Sequence, residues 1–143
     1  MRAENKVKPQ LSPQEALIYA MVTVAAADRT ISEQELVRIN TMVRELPAFR
    51  GLEGTWLSHE AQNCGRILGK PDGVEKVVRM IVEGLPHGLR ETAYALAAEV
   101  AASDLAIKDD ERNFLTLLAE GLQIDPLVRA ALERSAHARH HPV

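Results

Sequence analysis

Four carboxylates occupy matching places in two stretches of this chain. Val-Ala-Ala-Ala-Asp-Arg-Thr-Ile-Ser-Glu-Gln-Glu, running from Val24 to Glu35, aligns without a gap on Val-Ala-Ala-Ser-Asp-Leu-Ala-Ile-Lys-Asp-Asp-Glu, from Val100 to Glu111. The aspartates are Asp28 and Asp104, and the glutamates are Glu35 and Glu111. Each stretch reads as the end of one helix, a tight connection and the start of the next. A hard divalent cation such as Ca²⁺ or Mg²⁺ needs several oxygen ligands, and paired carboxylates together with the free carbonyls of a helix C-terminus supply that donor type. The sequence thus offers Asp28, Glu35, Asp104 and Glu111 as candidate metal ligands, and the duplication predicts two helical hairpins related by a pseudo-twofold axis.

Each candidate also has an account in local helix physics. Glu35 follows Ser32 by three positions, the spacing of a capping box, in which the glutamate reaches back to the cap amide whether or not a metal is present. Glu111 has a weaker version of that account, because Lys108 occupies the cap position and an ammonium cannot accept an amide hydrogen bond. Asp28 and Asp104 are more informative. A carboxylate near a helix C-terminus meets the negative end of the macrodipole, so helix stability alone does not ask for it there. For both aspartates an Asx-turn and cation ligation stay open as alternatives. An EF-hand is excluded, since its first ligands would fall on Val24 and Ala26, or on Val100 and Ala102, none of which carries a side-chain oxygen.

The elements that must position these groups are all helical. Ser12 caps a first helix with Pro13 at its first position, and apolar residues cover most of its circumference up to Ala27. Leu36, Ile39, Val43 and Leu46 stripe a second helix that Pro47 ends. A third helix is predicted over Trp56–Leu68, and a fourth opens at Asp72-Gly73 and stops at Gly84-Leu85-Pro86. The fifth spans His87–Ser103, the sixth Lys108–Gly121, and the last, capped by Asp125-Pro126, reaches Ala138. No strand-like alternation bounded by hairpin turns occurs. The expectation is an all-α, compact seven-helix domain over residues 11–138, between a flexible N-terminal segment (1–10) and a flexible tail (139–143).

Composition narrows the function. At 143 residues the chain suits one core, and with a single Trp, two Tyr and two Phe that core must be built of aliphatic residues and alanine. A net charge of −3 lacks the basic excess of a nucleic-acid binder. The longest apolar stretch, Ala16–Ala27, is well short of the ~20 residues that span a bilayer. The polar opening MRAENKVKPQ is followed by no apolar signal region, so cytoplasmic residence is expected. Cys64, the one cysteine, is expected to be a buried small hydrophobe. His137, His140 and His141 fall in a basic C-terminal run expected to fray. Cys64 and His59 are spaced too awkwardly for a catalytic dyad, and Gly69-Lys70-Pro71-Asp72-Gly73 lacks the spacing of a phosphate loop and is expected to be an interhelical turn. Glu83, Glu91, Glu99, Arg79 and Arg90 are expected on solvated faces. No nucleophile, base and oxyanion site assemble, so no enzyme is expected.

The Ala-Ala-x-Asp-x-x-Ile-x-x-x-Glu pattern, ending one helix and opening another, resembles the tellurite-resistance TerB family, and the likeness covers about Leu11 to Ala138. The resemblance implies a seven-helical, bacterial, stress-associated module with an acidic, divalent-cation-binding surface. It carries over to Asp28, Glu35, Asp104 and Glu111. The family usually has glycine after each aspartate where this chain has Arg29 and Leu105, so its turn must form without glycine's freedom, and Arg29 stands ready to neutralise its neighbour. The expected function is a non-enzymatic TerB-like stress-response module binding a divalent cation, linked to tellurite resistance and to a protein partner in a stress-response complex. The alternative is a helical protein-interaction module whose acidic motifs only cap and rigidify the hairpins.

Overall fold

The computed structural model describes residues 10–26, 31–52, 54–103 and 108–143. Helix α1 covers Pro13–Ala25. Its capping box is complete: Ser12 Oγ accepts from the Glu15 amide at 3.1 Å, and Glu15 Oε1 accepts from the Ser12 amide at 2.8 Å. From Glu15 to Ala25 every residue is buried, as expected of a helix that is apolar on all sides and must therefore be surrounded. α1 packs on α3 (Gly54–Leu68), α4 (Gly73–Gly84), α5 (Arg90–Ala102) and α6 (Asp109–Leu122), and touches α2 (Glu33–Glu45). Its largest contact is with α5, where Ala93, Ala97, Ala98 and Ala101 are buried alongside Tyr94 and Leu96. Alanines on both helices let the backbones approach closely.

α7 (Pro126–Arg139) closes the other face of α5. Among the described residues the architecture is seven α-helices with two short 3₁₀ turns, Pro47–Phe49 and His87–Leu89, and no strand. The fold class expected from the sequence is the one observed. Boundaries differ by small amounts. The fifth helix is preceded by the 3₁₀ turn at His87–Leu89, because Pro86 holds the chain extended and Leu89 N–H bonds to its carbonyl at 3.0 Å. The third starts at Gly54, two positions before Trp56.

Two glycines enforce close approaches. A Cβ on Gly73 would stand 2.4 Å from the Ile67 carbonyl oxygen, so the turn from α3 into α4 requires glycine there. This confirms Gly69–Gly73 as an interhelical turn, entered through Asp72 in the left-handed region at φ 57°. A Cβ on Gly84 would meet the Leu11 carbonyl oxygen at 2.8 Å, where the segment leading into α1 crosses the end of α4. Gln10 ties the same crossing by donating to the Glu83 carbonyl at 2.9 Å.

α7 is fastened by polar contacts more than by burial, Ala136 being its one fully buried side chain among the described residues. The Tyr94 hydroxyl donates to the Glu133 carboxylate, Arg129 Nε donates to the same oxygen at 3.0 Å, and the Arg129 guanidinium lies over the Tyr94 ring. At its far end Arg139 pairs with Glu99, and His140 Nε2 lies 2.5 Å from the other oxygen of that carboxylate. α7 thus ends at Arg139 with its last residue clasped to α5. Glu99, expected in solvent, is partly buried beneath that clasp, and Arg90 is half-buried with Nη1 donating to the Leu122 carbonyl at 3.0 Å.

Candidate functional site

The first acidic motif is built on the end of α1 and the start of α2. α1 runs to Ala25, and the Ala26 amide still bonds the Val22 carbonyl at 2.8 Å. Asp28 lies outside the described residues. On the far side of the connection Ser32 takes extended geometry, its Oγ accepts from the Glu35 amide at 3.1 Å, and Glu35 Oε1 accepts from the Ser32 amide at 2.9 Å. The capping box expected from the spacing is present.

The second motif repeats the first on α5 and α6. The Ser103 amide bonds the Glu99 carbonyl at 3.1 Å, and the Ser103 hydroxyl donates to Val100 O at 2.6 Å. Asp104, like Asp28, lies outside the described residues. Lys108 adopts φ −82°, ψ 160°, nearly the backbone of Ser32 at φ −78°, ψ 161°. Glu111 Oε1 accepts from the Lys108 amide at 2.9 Å, and Glu111 is buried to 5% exposure. The returning arm of the box thus forms at both copies. The forward arm at Lys108 has no acceptor to use.

The described flanks of the two motifs each contact helices of the other half of the chain. The end of α1 lies against α6, and the end of α5 is tied to α2 by Arg38 Nη1 donating to Ser103 Oγ at 2.7 Å. A cavity of about 580 Å³ opens between the first junction and the first turn of α6. Thr23 and Ala26 line it from α1, Asp110 and Asn113 from α6, and Glu75 from α4. Its charged lining side chains are both acidic, and neither α1 nor α5 has a basic residue in its last turn to meet the free carbonyls.

These groups have the oxygen chemistry that a hard cation requires. Among the described residues, however, no three His, Cys, Asp or Glu side chains converge to hold a metal. Glu35 and Glu111 each spend one oxygen on a cap, so they do not make such a site without Asp28 and Asp104.

A family model described as Tellurite resistance protein TerB matches residues 14–134. The chain belongs to the TerB family. No curated protein and no solved structure matches it. The TerB match spans both motifs, so the duplication lies within one domain. No described helix of this TerB domain is long and apolar enough to cross a membrane.

A second group of polar side chains, outside both motifs, lies on the α1–α3–α4 side of the domain. Glu15, Tyr19 and Glu60 are buried to 3%, 3% and 6% exposure. Burial pushes the Tyr19 phenol far above its ordinary range, and Cys64, Glu60 and Glu15 push it further. Cys64 is buried as expected. Burial raises its thiol to about 12, the Thr23 hydroxyl at 3.5 Å offsets part of that rise, and Glu60 adds to it. The Ser12–Glu15 spacing signalled that Glu15 would turn back toward its cap. Glu60 lies three positions after Leu57 and four before Cys64, on the buried stripe of α3, so helical spacing was the signal that could have placed it inward.

Proposed function

We propose that this TerB-family chain is a non-enzymatic stress-response module that takes a divalent cation at its paired helix junctions. Asp28 and Asp104 would be the charged ligands, and helix-end carbonyls with the second Glu35 oxygen would complete an oxygen set suited to Ca²⁺ or Mg²⁺. The carrying observation is the cavity where Ala26, two residues before Asp28, faces Asp110 and Glu75 with no basic side chain in its lining. The family's printed description supports tellurite stress as the setting.

Calorimetric titration with Ca²⁺, Mg²⁺ and Zn²⁺ tests this. Saturable heat with wild type, abolished by Asp28→Asn together with Asp104→Asn, is expected. Silence from the wild type with all three ions overturns the proposal.

One contact favours the alternative, a protein-interaction module with purely structural motifs. Arg38 places a cation of the protein's own on Ser103, next to Asp104 in sequence. On that reading Arg38→Ala destabilises the domain in chelator, and Asp28→Asn with Asp104→Asn leaves partner binding unchanged.

A further inference from the structure

The C-terminal end of α7 carries His137, His140 and His141, and the three rings have different occupations. His140 Nε2 lies 2.5 Å from one carboxylate oxygen of Glu99 on α5, and Arg139 pairs with the other. His137 and His141 turn elsewhere. Both are exposed, and their rings meet edge to face with centroids 6.1 Å apart at 86°.

The pair has the i, i+4 spacing that places two side chains on one helix face. Although α7 ends at Arg139, that relation holds as far as His141. The His140 amide bonds the His137 carbonyl at 3.2 Å, and the His141 amide bonds the Ala138 carbonyl at 3.4 Å. The clasp on Glu99 pins the backbone between the two rings, so little chain entropy is left to lose when an ion bridges them. Arg139, between them in sequence, spends its charge on Glu99.

His141 is also set in a ligating tautomer. Its Nδ1 lies 2.9 Å from the Pro142 carbonyl oxygen. A carbonyl only accepts, so in the neutral ring Nδ1 carries the proton and Nε2 keeps a free lone pair. A bond of this kind from the second ring nitrogen is what orients an imidazole toward a metal. Two imidazole nitrogens sharing one ion, each at about 2.0–2.1 Å, lie roughly 3 Å apart. Rings already in edge contact reach that span by side-chain rotation. The favourable interaction of a lone histidine with a helix C-terminus asks for neither the pairing nor the tautomer.

We propose that His137 and His141 form a two-point site for a borderline transition-metal ion of the Cu²⁺, Ni²⁺ and Zn²⁺ class, with water in the remaining positions. No third His, Cys, Asp or Glu joins them among the described residues, so the ion sits in an open, readily exchanged position. Nitrogen ligands distinguish this site from the oxygen donors of the helix junctions, which suit Ca²⁺ or Mg²⁺. Neither site depends on the other.

The probe is Cu²⁺, the strongest binder of the divalent series at such donors. Calorimetry gives affinity and stoichiometry, and the nitrogen hyperfine pattern in the EPR spectrum counts the imidazoles bound. One equivalent with two coupled nitrogens is expected, undiminished by excess Ca²⁺ and Mg²⁺ and undiminished in Asp28→Asn with Asp104→Asn. His137→Ala and His141→Ala each lower affinity by about tenfold or more and leave one coupled nitrogen. Both residues are exposed, so the variants keep the fold. His140→Ala removes a histidine of the same run while Arg139 still holds Glu99, and it keeps both coupled nitrogens with affinity within about threefold of wild type. Absence of saturable binding, fewer than two coupled nitrogens in wild type, undiminished affinity in either His137→Ala or His141→Ala, or an equal loss in His140→Ala each overturns the proposal.

Discussion

Substitution of Lys108 separates the structural share of the repeated motif from any ligand-binding share. The caps of α1, α2 and α6 have almost the same backbone: φ −68°, ψ 161° at Ser12, φ −78°, ψ 161° at Ser32 and φ −82°, ψ 160° at Lys108. A hydroxyl introduced at 108 therefore needs no backbone movement to accept from the Glu111 amide, as Ser32 Oγ accepts from Glu35 at 3.1 Å. Lys108 is exposed, so losing its long side chain removes little packing. Any contact of its ammonium is common to Lys108→Ser and Lys108→Ala, and cancels when those two variants are compared. The serine variant should exceed the alanine variant by about 1 kcal/mol, the usual worth of an N-cap side chain. For a chain of this length that corresponds to roughly 3 °C in melting temperature. Ser32→Ala should lose a similar amount from wild type. Urea and thermal unfolding in EDTA give both differences. If Lys108→Ser is no more stable than Lys108→Ala while Ser32→Ala is clearly destabilised, the two junctions are not equivalent caps and the pseudo-symmetric reading of α2 and α6 fails.

Other expectations are as direct. Burial opposes ionisation of Glu99, but the hydrogen bonds and charges of Arg139 and His140 outweigh it and hold the carboxyl below its ordinary value of 4.5. A carboxyl depressed in the folded state stabilises above its unfolded pKa, and that contribution is lost as pH falls through the lower folded value. Glu99→Gln should therefore cost about 1 kcal/mol at neutral pH, discounted for the exposure of Arg139, and nothing once the wild-type carboxyl is protonated. Parallel wild-type and variant melting curves across acid pH would refute this. Gly73→Ala should destabilise by at least about 2 kcal/mol, because its methyl would meet the backbone of Ile67 and Leu68 rather than a movable side chain, and denaturant midpoints measure it. Cys64, fully buried with its thiol raised to about 12, should resist iodoacetamide in the native protein and react after unfolding, with mass spectrometry as the readout.

The helices were legible because each carries its own instructions. Ser12-Pro13, Ser32 with Glu35, and Asp125-Pro126 announce starts through hydrogen bonds spanning only two or three residues. The interior of α4 shows its apolar stripe despite four valines and an isoleucine. The roles of Glu35 and Glu111 as acceptors for cap amides were legible for the same reason. Charged groups with distant partners were not. Glu99 meets Arg139 and His140 about 40 residues away, and Arg90 reaches the Leu122 carbonyl across 32 positions. Those meetings depend on how helices cross, which local periodicity does not encode. Glu60 shares the Leu57–Cys64 face of α3, so its inward position was readable from helical spacing, and its charge rather than its place in the pattern hid it.

The enclosure of α1 sets a schedule for the chain's synthesis. This helix leaves the ribosome well before its largest partner, α5, which begins at Arg90, and before α6, which follows at Asp109. Until those segments emerge, α3 and α4 can cover part of its surface while the face bearing on α5 stays wet. Elongation at about 5–20 residues per second leaves that face uncovered for several seconds. A nascent domain of this design is thus a natural client for ribosome-associated chaperones, and a stalled or truncated chain ending before α5 would present an adhesive apolar helix instead of a smaller stable protein.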